Sequence, residues 1–536
     1  MARLRNHGLA ARIVDLADRH GRAGRRLSGR RVAFPNRWSH LLGHMALFSF
    51  LLTIVSGVLL TLWFEPSMSQ IVYDGGYAPL RGVRMSEAYA STLDISLEIR
   101  GGLLIRQIHH WASLVFIAAL SAHLLRVFLS GAFRGPRWFT WLILLTLVVL
   151  GIAEAYIGHS LPDDLQSGTG LRVTEGYVLA VPVVGTSLAW LLFDGEFPGD
   201  DIIPRLNTVH VVALPSLMVA LFAVQLVIMY RSRQRRAVAA AGEPVFPGYA
   251  AKMGGFVLLV CGVIVLMAAT IQINPVWLWG PFDASQAPAG SRPPWYLGFI
   301  DGAVRLMPPW QVGVLGHELT LSVLVPVMVM PGVVVAALAL YPWFEQWATG
   351  DRRDPDVLDR PRDMPVRTGL GAAFVAFYLV LWIGGGNDAI APLLHVSMNG
   401  LTRFLQISLV VAPPLAFWIT KRICLGLQLG DREEILHGRA SGVVVASPEG
   451  EFAELHRPLS AREAELLTSH PDWTPIDPGS ATDANGVPNP EYRADRRRAK
   501  LSRFYFADIP RQPTRAEIGD HRDDGEHDVT APAGTH

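Results

Sequence analysis

The sequence predicts an all-α membrane protein with about eight transmembrane helices. Three features carry that expectation. Half of the 536 residues are hydrophobic and only 17% are charged. Mean hydropathy is positive. Several stretches run about 20 residues with few or no charges, enough to cross a hydrocarbon core of about 30 Å. A soluble chain of this size carries more charge and shorter apolar runs. The net charge of +1 gives no reason to expect a nucleic-acid partner, because the charges segregate by loop.

Each expected span is an apolar run between polar loops. In order they are about Leu41–Phe64, Leu103–Leu129, Trp138–Ile157, Val209–Tyr230, Gly254–Ile273, Leu319–Leu340, Gly369–Ile383 and Leu401–Cys424. Val178–Phe193 is also apolar, but Pro182, Gly185 and its shortness predict a re-entrant or surface helix. Spans 1–4 make a first region, residues 38–240, and spans 5–8 a second, residues 250–429. A basic tail (1–37) precedes them. A polar tail (430–536) follows, rich in Pro, Asp, Arg and Gly from Pro471 onward and expected to be partly disordered. No apolar core of a cleavable signal peptide precedes the first span. The two cysteines, Cys261 and Cys424, read as packing residues, and no Cys-x-x-Cys or Cys-x-x-Cys-His motif is present.

Arginine placement sets the expected orientation. The first tail carries ten arginines, Arg134 and Arg137 follow span 2, and Arg231, Arg233, Arg235 and Arg236 follow span 4. The long loop after span 3 is acidic, with Asp163, Asp164, Glu175, Asp194, Glu196, Asp200 and Asp201. Both termini are therefore expected in the cytoplasm. Spans 1 and 3 then run outward, and spans 2 and 4 inward.

Polar residues inside spans are costly and mark function. Span 2 carries His109 and His123, 14 residues apart. That interval falls about 40° short of whole helical turns and rises about 21 Å, so both share a face at two depths. Neutral imidazole is an axial ligand for haem iron, and this geometry suggests one haem near each membrane surface. Haem also needs helices without side chains at the contact. Span 1 supplies Gly43 and Gly57, at the same interval. His210 opens span 4, but no further histidine lies in that span; its far end reads Leu221 to Gln225.

The sequence resembles the cytochrome b subunit of the cytochrome bc complex, in its actinobacterial form, over about residues 31–460. The resemblance rests on Trp38–Gly43, Arg106 to Trp111 (RQIHHW), Ser160–Asp164 with Ser167–Gly170, Ile203–Arg205 before His210, Gln272–Pro275 and Arg360–Asp363. It implies two b haems held by four histidines, with Arg106 and Arg126 at positions that meet haem propionates. The outer layer is then Gly57, His109, Gly158 and His210, all of the family's types. The inner layer is Gly43, His123, Leu144 and Gln225, where Leu144 replaces a glycine and Gln225 the fourth histidine. The metal ligands expected are His109 and His210, with His123 alone at the inner site. One haem b is expected, and the second is missing or held by one ligand.

The resembled family oxidises quinol at a Pro-Glu-Trp-Tyr or Pro-Asp-Trp-Tyr motif, whose carboxylate takes a proton. Here the motif reads Pro293-Pro294-Trp295-Tyr296, with proline at the acidic position. Tyr296 remains as a candidate catalytic residue. Glu154, one turn before Gly158, is a candidate proton-exchanging carboxylate, with a structural hydrogen bond to a neighbouring helix or loop as the alternative; Asp301, which also suits a solvated or capping role, and Glu318 lie in the same outer region. The implied function is that of a quinol–cytochrome c oxidoreductase subunit, with a Rieske iron–sulfur subunit, a cytochrome c subunit, membrane quinol and a homodimer as partners. A one-haem electron-transfer anchor and a non-redox scaffold are the alternatives.

Overall fold

A computed structural model describes residues 38–195, 197–236, 248–288, 291–314, 316–351, 358–446, 450–460 and most of 474–514, with isolated positions elsewhere. The basic tail, apart from Ala33 and Phe34, and the chain after 517 lie outside the described residues.

Among the described residues, eight helices are long and apolar enough to cross a membrane, as the sequence predicts. They contain α1 (Leu41–Leu60), α2 (Gly102–Leu129), α3 (Trp138–Ser160), α4 (Leu214–Arg236), α5 (Ala250–Thr270), α6 (Met330–Thr349), α7 (Pro365–Gly384) and α8 (Met398–His437). Large apolar side chains such as Leu258, Leu266, Leu340 and Val410 stand exposed on the outside. In a bilayer they face lipid, where packing rather than water exclusion holds helices together. The chain is thus an integral membrane protein.

Helices α1 to α4 pack around a core of Ala46, Phe50, Phe116, Ile117, Leu120, Ile143, Leu144, Leu147 and Met218. Small residues let α1 and α2 approach: Ala46, Ala112 and Ala119 are all buried. The hydroxyls of Ser49 and Ser56 donate to carbonyls one turn back, at 2.7 and 2.8 Å, so neither is an unpaired polar group in hydrocarbon.

Helix α4 is entered through a short helix, Ile202–Thr208, and a π-helical turn, Val209–Ala213. Pro215 has no N–H for the carbonyl four residues back, and Leu214 N–H reaches five residues back to Val209 instead. Such bulges gather at functional sites, and His210 sits in this one.

The structure adjusts several boundaries. Span 1 stops at Leu60, not Phe64, three short turns ahead of Pro66. Val178–Phe193 is not one helix. Leu165–Leu179 and Gly185–Phe193 form two, because Pro182 and the left-handed Val183 (φ 69°) break the chain between them. Helix α8 continues well beyond Cys424 to His437. Both cysteines are free, as expected.

In the second tail, Arg439–Ala446 pairs antiparallel with Phe452–Arg457. A further helix, α9 (Tyr492–Phe506), buries Tyr505 and Phe506 against Ala348, Met364 and Val366. Beside it lies a buried ion cluster. Arg367 meets Glu345 at 3.2 Å and Asp359 at 2.5 Å, while Arg134 meets Asp351 at 2.9 Å and Asp359 at 2.7 Å.

Candidate haem site

Two layers of side chains lie within the α1–α4 bundle, as the 14-residue intervals predict. In the first, His109 and His210 face each other with ring centroids 6.1 Å apart. An imidazole nitrogen binds a first-row metal at about 2 Å, so two rings flanking one iron sit about 6 Å apart. The spacing fits a single iron.

Glycines back both rings. A methyl group at Gly57 would lie 2.9 Å from His109 Cε1, and one at Gly158 would lie 2.9 Å from His210 Nε2. His109 Nδ1 is 3.0 Å from the Thr53 carbonyl and 3.2 Å from Ser56 Oγ. That contact leaves Nε2 available as a ligand. His210 Nδ1 lies 2.9 Å from Glu154 Oε1. Thr53 and Glu154 each stand four residues before their glycine, on the same helix face. In the sequence Thr53 carries no mark of this role, whereas Glu154 stands as a candidate for proton exchange or for a structural contact with a neighbouring helix; here it lies beside His210.

The second layer differs. His123 lies over Gly43, where a methyl would be 3.1 Å from Cε1. Among the described residues, neither its buried Nδ1 nor the buried Gln225 Oε1 has a hydrogen-bond partner. Leu144 is buried in the core. Of His123, Leu144 and Gln225, His123 alone carries an imidazole. Arg126 contacts His40 at 2.9 Å, and His44 contacts the Tyr249 hydroxyl at 2.8 Å.

Arg106, at the first layer's end of α2, donates to the Asn274 carbonyl at 2.7 Å, and its Nε is buried without a partner. Gln107 clasps the same strand of chain, donating to Ile273 O at 2.8 Å and accepting from Ile273 N at 2.9 Å. This explains why Arg106, Gln107 and Gln272–Pro275 occur together in one chain. His110 and His159 form a second ring pair, 6.4 Å apart.

The Ser160–Asp164 motif is a structural hinge for the loops over this layer. Asp164 caps the Leu165–Leu179 helix, accepting from Gln166 N at 2.9 Å and Ser167 N at 3.2 Å. Asp163 adopts a left-handed conformation (φ 53°) and accepts from the Ser86 hydroxyl at 2.6 Å. Burial pushes its carboxyl up to about 7, with the Asp164 charge adding to the rise and the Ser86 bond opposing it. Tyr296, in the short turn Trp295–Leu297, is buried in the α1–α4 core. Asp301 is held by Arg305 Nε at 2.8 Å.

The family profile for cytochrome b (N-terminal)/b6/petB matches residues 114–281. Over 510 residues the chain is 46% identical to the cytochrome bc1 complex cytochrome b subunit of Streptomyces coelicolor, covering 94% of this chain and 93% of that protein. The chain belongs to the family of bc1-complex cytochrome b subunits. The corresponding subunit of Mycobacterium bovis is 44% identical over 460 residues, covering 84% and 83% of the two chains. That of Corynebacterium diphtheriae is 43% identical over 433 residues, covering 80% of each. A hyperthermophilic respiratory Complex III chain shares the fold, with TM-score 0.55, 20% identity, and coverage of 78% of this chain and all of that one. A cytochrome b of a bc1 complex is one subunit of an oxidoreductase, and the family implies b-type haem.

Proposed function

We propose that this chain is the electron-transfer subunit of a quinol–cytochrome c reductase and that it holds one b haem, between His109 and His210. The imidazole pair 6.1 Å apart, backed by Gly57 and Gly158, carries this reading. A b haem there accepts and passes on single electrons. The protein's part is to hold two imidazoles 6.1 Å apart with their planes at 80°, to keep side chains off the ring contacts and to keep bulk water out of the bundle. Arg106, with its unpartnered buried Nε, is the cation available to a propionate.

The departures at Leu144 and Gln225 support a single haem. Leucine fills space that glycine leaves open, and overpacking of that kind costs about 1–3 kcal/mol. An amide is also a poor axial ligand. His123 remains with Gly43 as a one-ligand remnant. Without an inner haem, electrons leaving the outer site face a gap of about 20 Å along the helix axis. Tyr296 is proposed to hydrogen-bond quinol. Pro294 cannot take its proton, and the nearby carboxylates Glu154 and Asp301 are engaged by His210 and Arg305.

A Rieske iron–sulfur subunit, a cytochrome c subunit and a second copy of this chain complete the proposed assembly, with both termini in the cytoplasm. Pro294 and the altered inner layer also favour a second reading, a one-haem anchor that serves another electron carrier. Haem counting on purified protein by pyridine haemochrome is expected to give one b haem per chain. Two would reject the single-haem site, and none in haem-replete cells would leave only a scaffold. Quinol-dependent cytochrome c reduction then separates reductase from anchor. Gln225→His alone is expected to restore little second haem, and Gln225→His with Leu144→Gly to restore it.

A further inference from the structure

We infer that Glu154 is a positioning residue for His210, a carboxylate that orients this imidazole and sets the potential of the iron it would bind. The inference rests on the proposed outer haem.

The geometry is specific. Glu154 Oε1 lies 2.9 Å from His210 Nδ1, with both side chains largely buried, at 17% and 15% exposure. His210 Nδ1 and Glu154 Oε2 are each buried without a hydrogen bond among the described residues, so the 2.9 Å approach is a close charge contact and not a formed hydrogen bond. The ring as it lies does not aim its N–H straight along the 2.9 Å line. A turn about the broad second torsion of the histidine side chain aligns it. A buried carboxylate inside a bundle is costly unless paired, and among the described residues the ion pair recorded for Glu154 is with this ring.

The consequence follows from the two ring nitrogens. A histidine that donates Nδ1–H is fixed in the tautomer whose Nε2 carries a free lone pair. A carboxylate acceptor draws that proton and raises the basicity of Nε2. A more basic ligand favours the more highly charged, oxidised iron, so the potential falls. The partner His109 has a different support: its Nδ1 meets the neutral Thr53 carbonyl at 3.0 Å. The two axial positions are therefore unequal, one neutral-backed and one carboxylate-backed. This asymmetry cannot be read from the four haem-layer residues alone.

The test uses the full chain in haem-replete membranes, with redox titration and low-temperature electron paramagnetic resonance of the oxidised haem. In Glu154→Gln the amide oxygen still accepts from Nδ1 but carries no charge. The midpoint potential is expected to rise and the low-spin signal to shift, with haem content retained. Glu154→Ala removes the acceptor, and haem retention is expected to weaken about 10- to 100-fold. Glu154→Asp is expected to recover potential and retention in part. An unchanged potential and resonance signal in Glu154→Gln overturns the inference, and it does so even if quinol oxidation is lost, since that pattern belongs to a proton carrier. A wild-type chain without b haem instead overturns the haem site on which the inference depends.

Discussion

Adding a single methyl group at Gly158 tests the haem site most directly. In Gly158→Ala the new carbon would stand 2.9 Å from His210 Nε2 and 3.1 Å from Nδ1, and closer still to Cε1. Heavy atoms of this kind rest at about 3.5 Å or more, so the ring must retreat by at least about 0.6 Å. Metal–ligand distances tolerate about 0.2 Å. The retreat is therefore several times what the iron bond accepts, and Glu154 on the Nδ1 side limits the escape. Overpacking of this size costs about 1–3 kcal/mol, which weakens haem binding roughly 5- to 150-fold. Alanine is the better helix former by about 1 kcal/mol, so fold stability should fall by less than haem affinity does. Gly57→Ala, with its methyl 2.9 Å from one His109 carbon and 3.4 Å from Nδ1, should cost less. Gly43→Ala should cost nothing at the His109–His210 site. Haem retained after challenge with apomyoglobin gives the ranking. Wild-type retention in Gly158→Ala, or a greater loss in Gly43→Ala, would refute the reasoning.

Two further predictions concern the frame. Asp163 has a folded pKa of about 7 against about 3.9 unfolded, so the folded chain binds more protons between those values. Its contribution to stability is fully present below about pH 4 and is lost as pH rises through 7, by at most about 1.4 kcal/mol per unit. Asp163→Asn, which keeps an acceptor for Ser86, should flatten that limb of a melting-versus-pH curve in detergent; an unchanged slope would assign it to other groups. Arg367 is fully buried between Glu345 and Asp359. Arg367→Leu strands Glu345, while Asp359 keeps Arg134 at 2.7 Å, and should destabilise by about 3–5 kcal/mol; a melting temperature equal to wild type would show that the Arg367 pairs contribute nothing.

Much of the architecture was legible because the bilayer restricts the choices. Apolar runs of the right length become spans, and the equal intervals of Gly43–Gly57 and His109–His123 place two layers before any coordinate is known. What escaped the sequence depends on contacts between distant segments. Arg134 and Asp351 meet although 217 positions separate them in sequence, and no local pattern joins them. Helix α9 looks like part of a polar tail, and only the burial of Tyr505 and Phe506 on the ends of α6 and α7 shows why it is ordered. Glu154 was visible as an intramembrane carboxylate, yet its partner required the π-turn that sets the position of His210.

The two histidine layers also differ in a way that does not depend on counting ligands. His109 Nδ1 contacts the Thr53 carbonyl at 3.0 Å, and His210 Nδ1 has the Glu154 carboxylate at 2.9 Å although not aligned as a hydrogen bond, whereas His123 Nδ1 is buried with no hydrogen-bond partner among the described residues. A ligand imidazole needs that second contact to fix its tautomer and orientation, so the inner layer lacks support as well as a fourth histidine. Leu144 meanwhile packs with Phe50, Phe116 and Leu147. In lipid, filled volume is what holds helices together, so this substitution stabilises the bundle while it obstructs the site. On the one-haem proposal, loss of the inner haem and retention of the fold are two effects of the same side chain. Leu144→Gly in an otherwise unchanged chain should accordingly lower thermal stability by about 2–5 kcal/mol without adding haem, since Gln225 still offers no imidazole. A gain of haem in that single variant would mean that Gln225 or His123 suffices and that the leucine alone had kept the site closed.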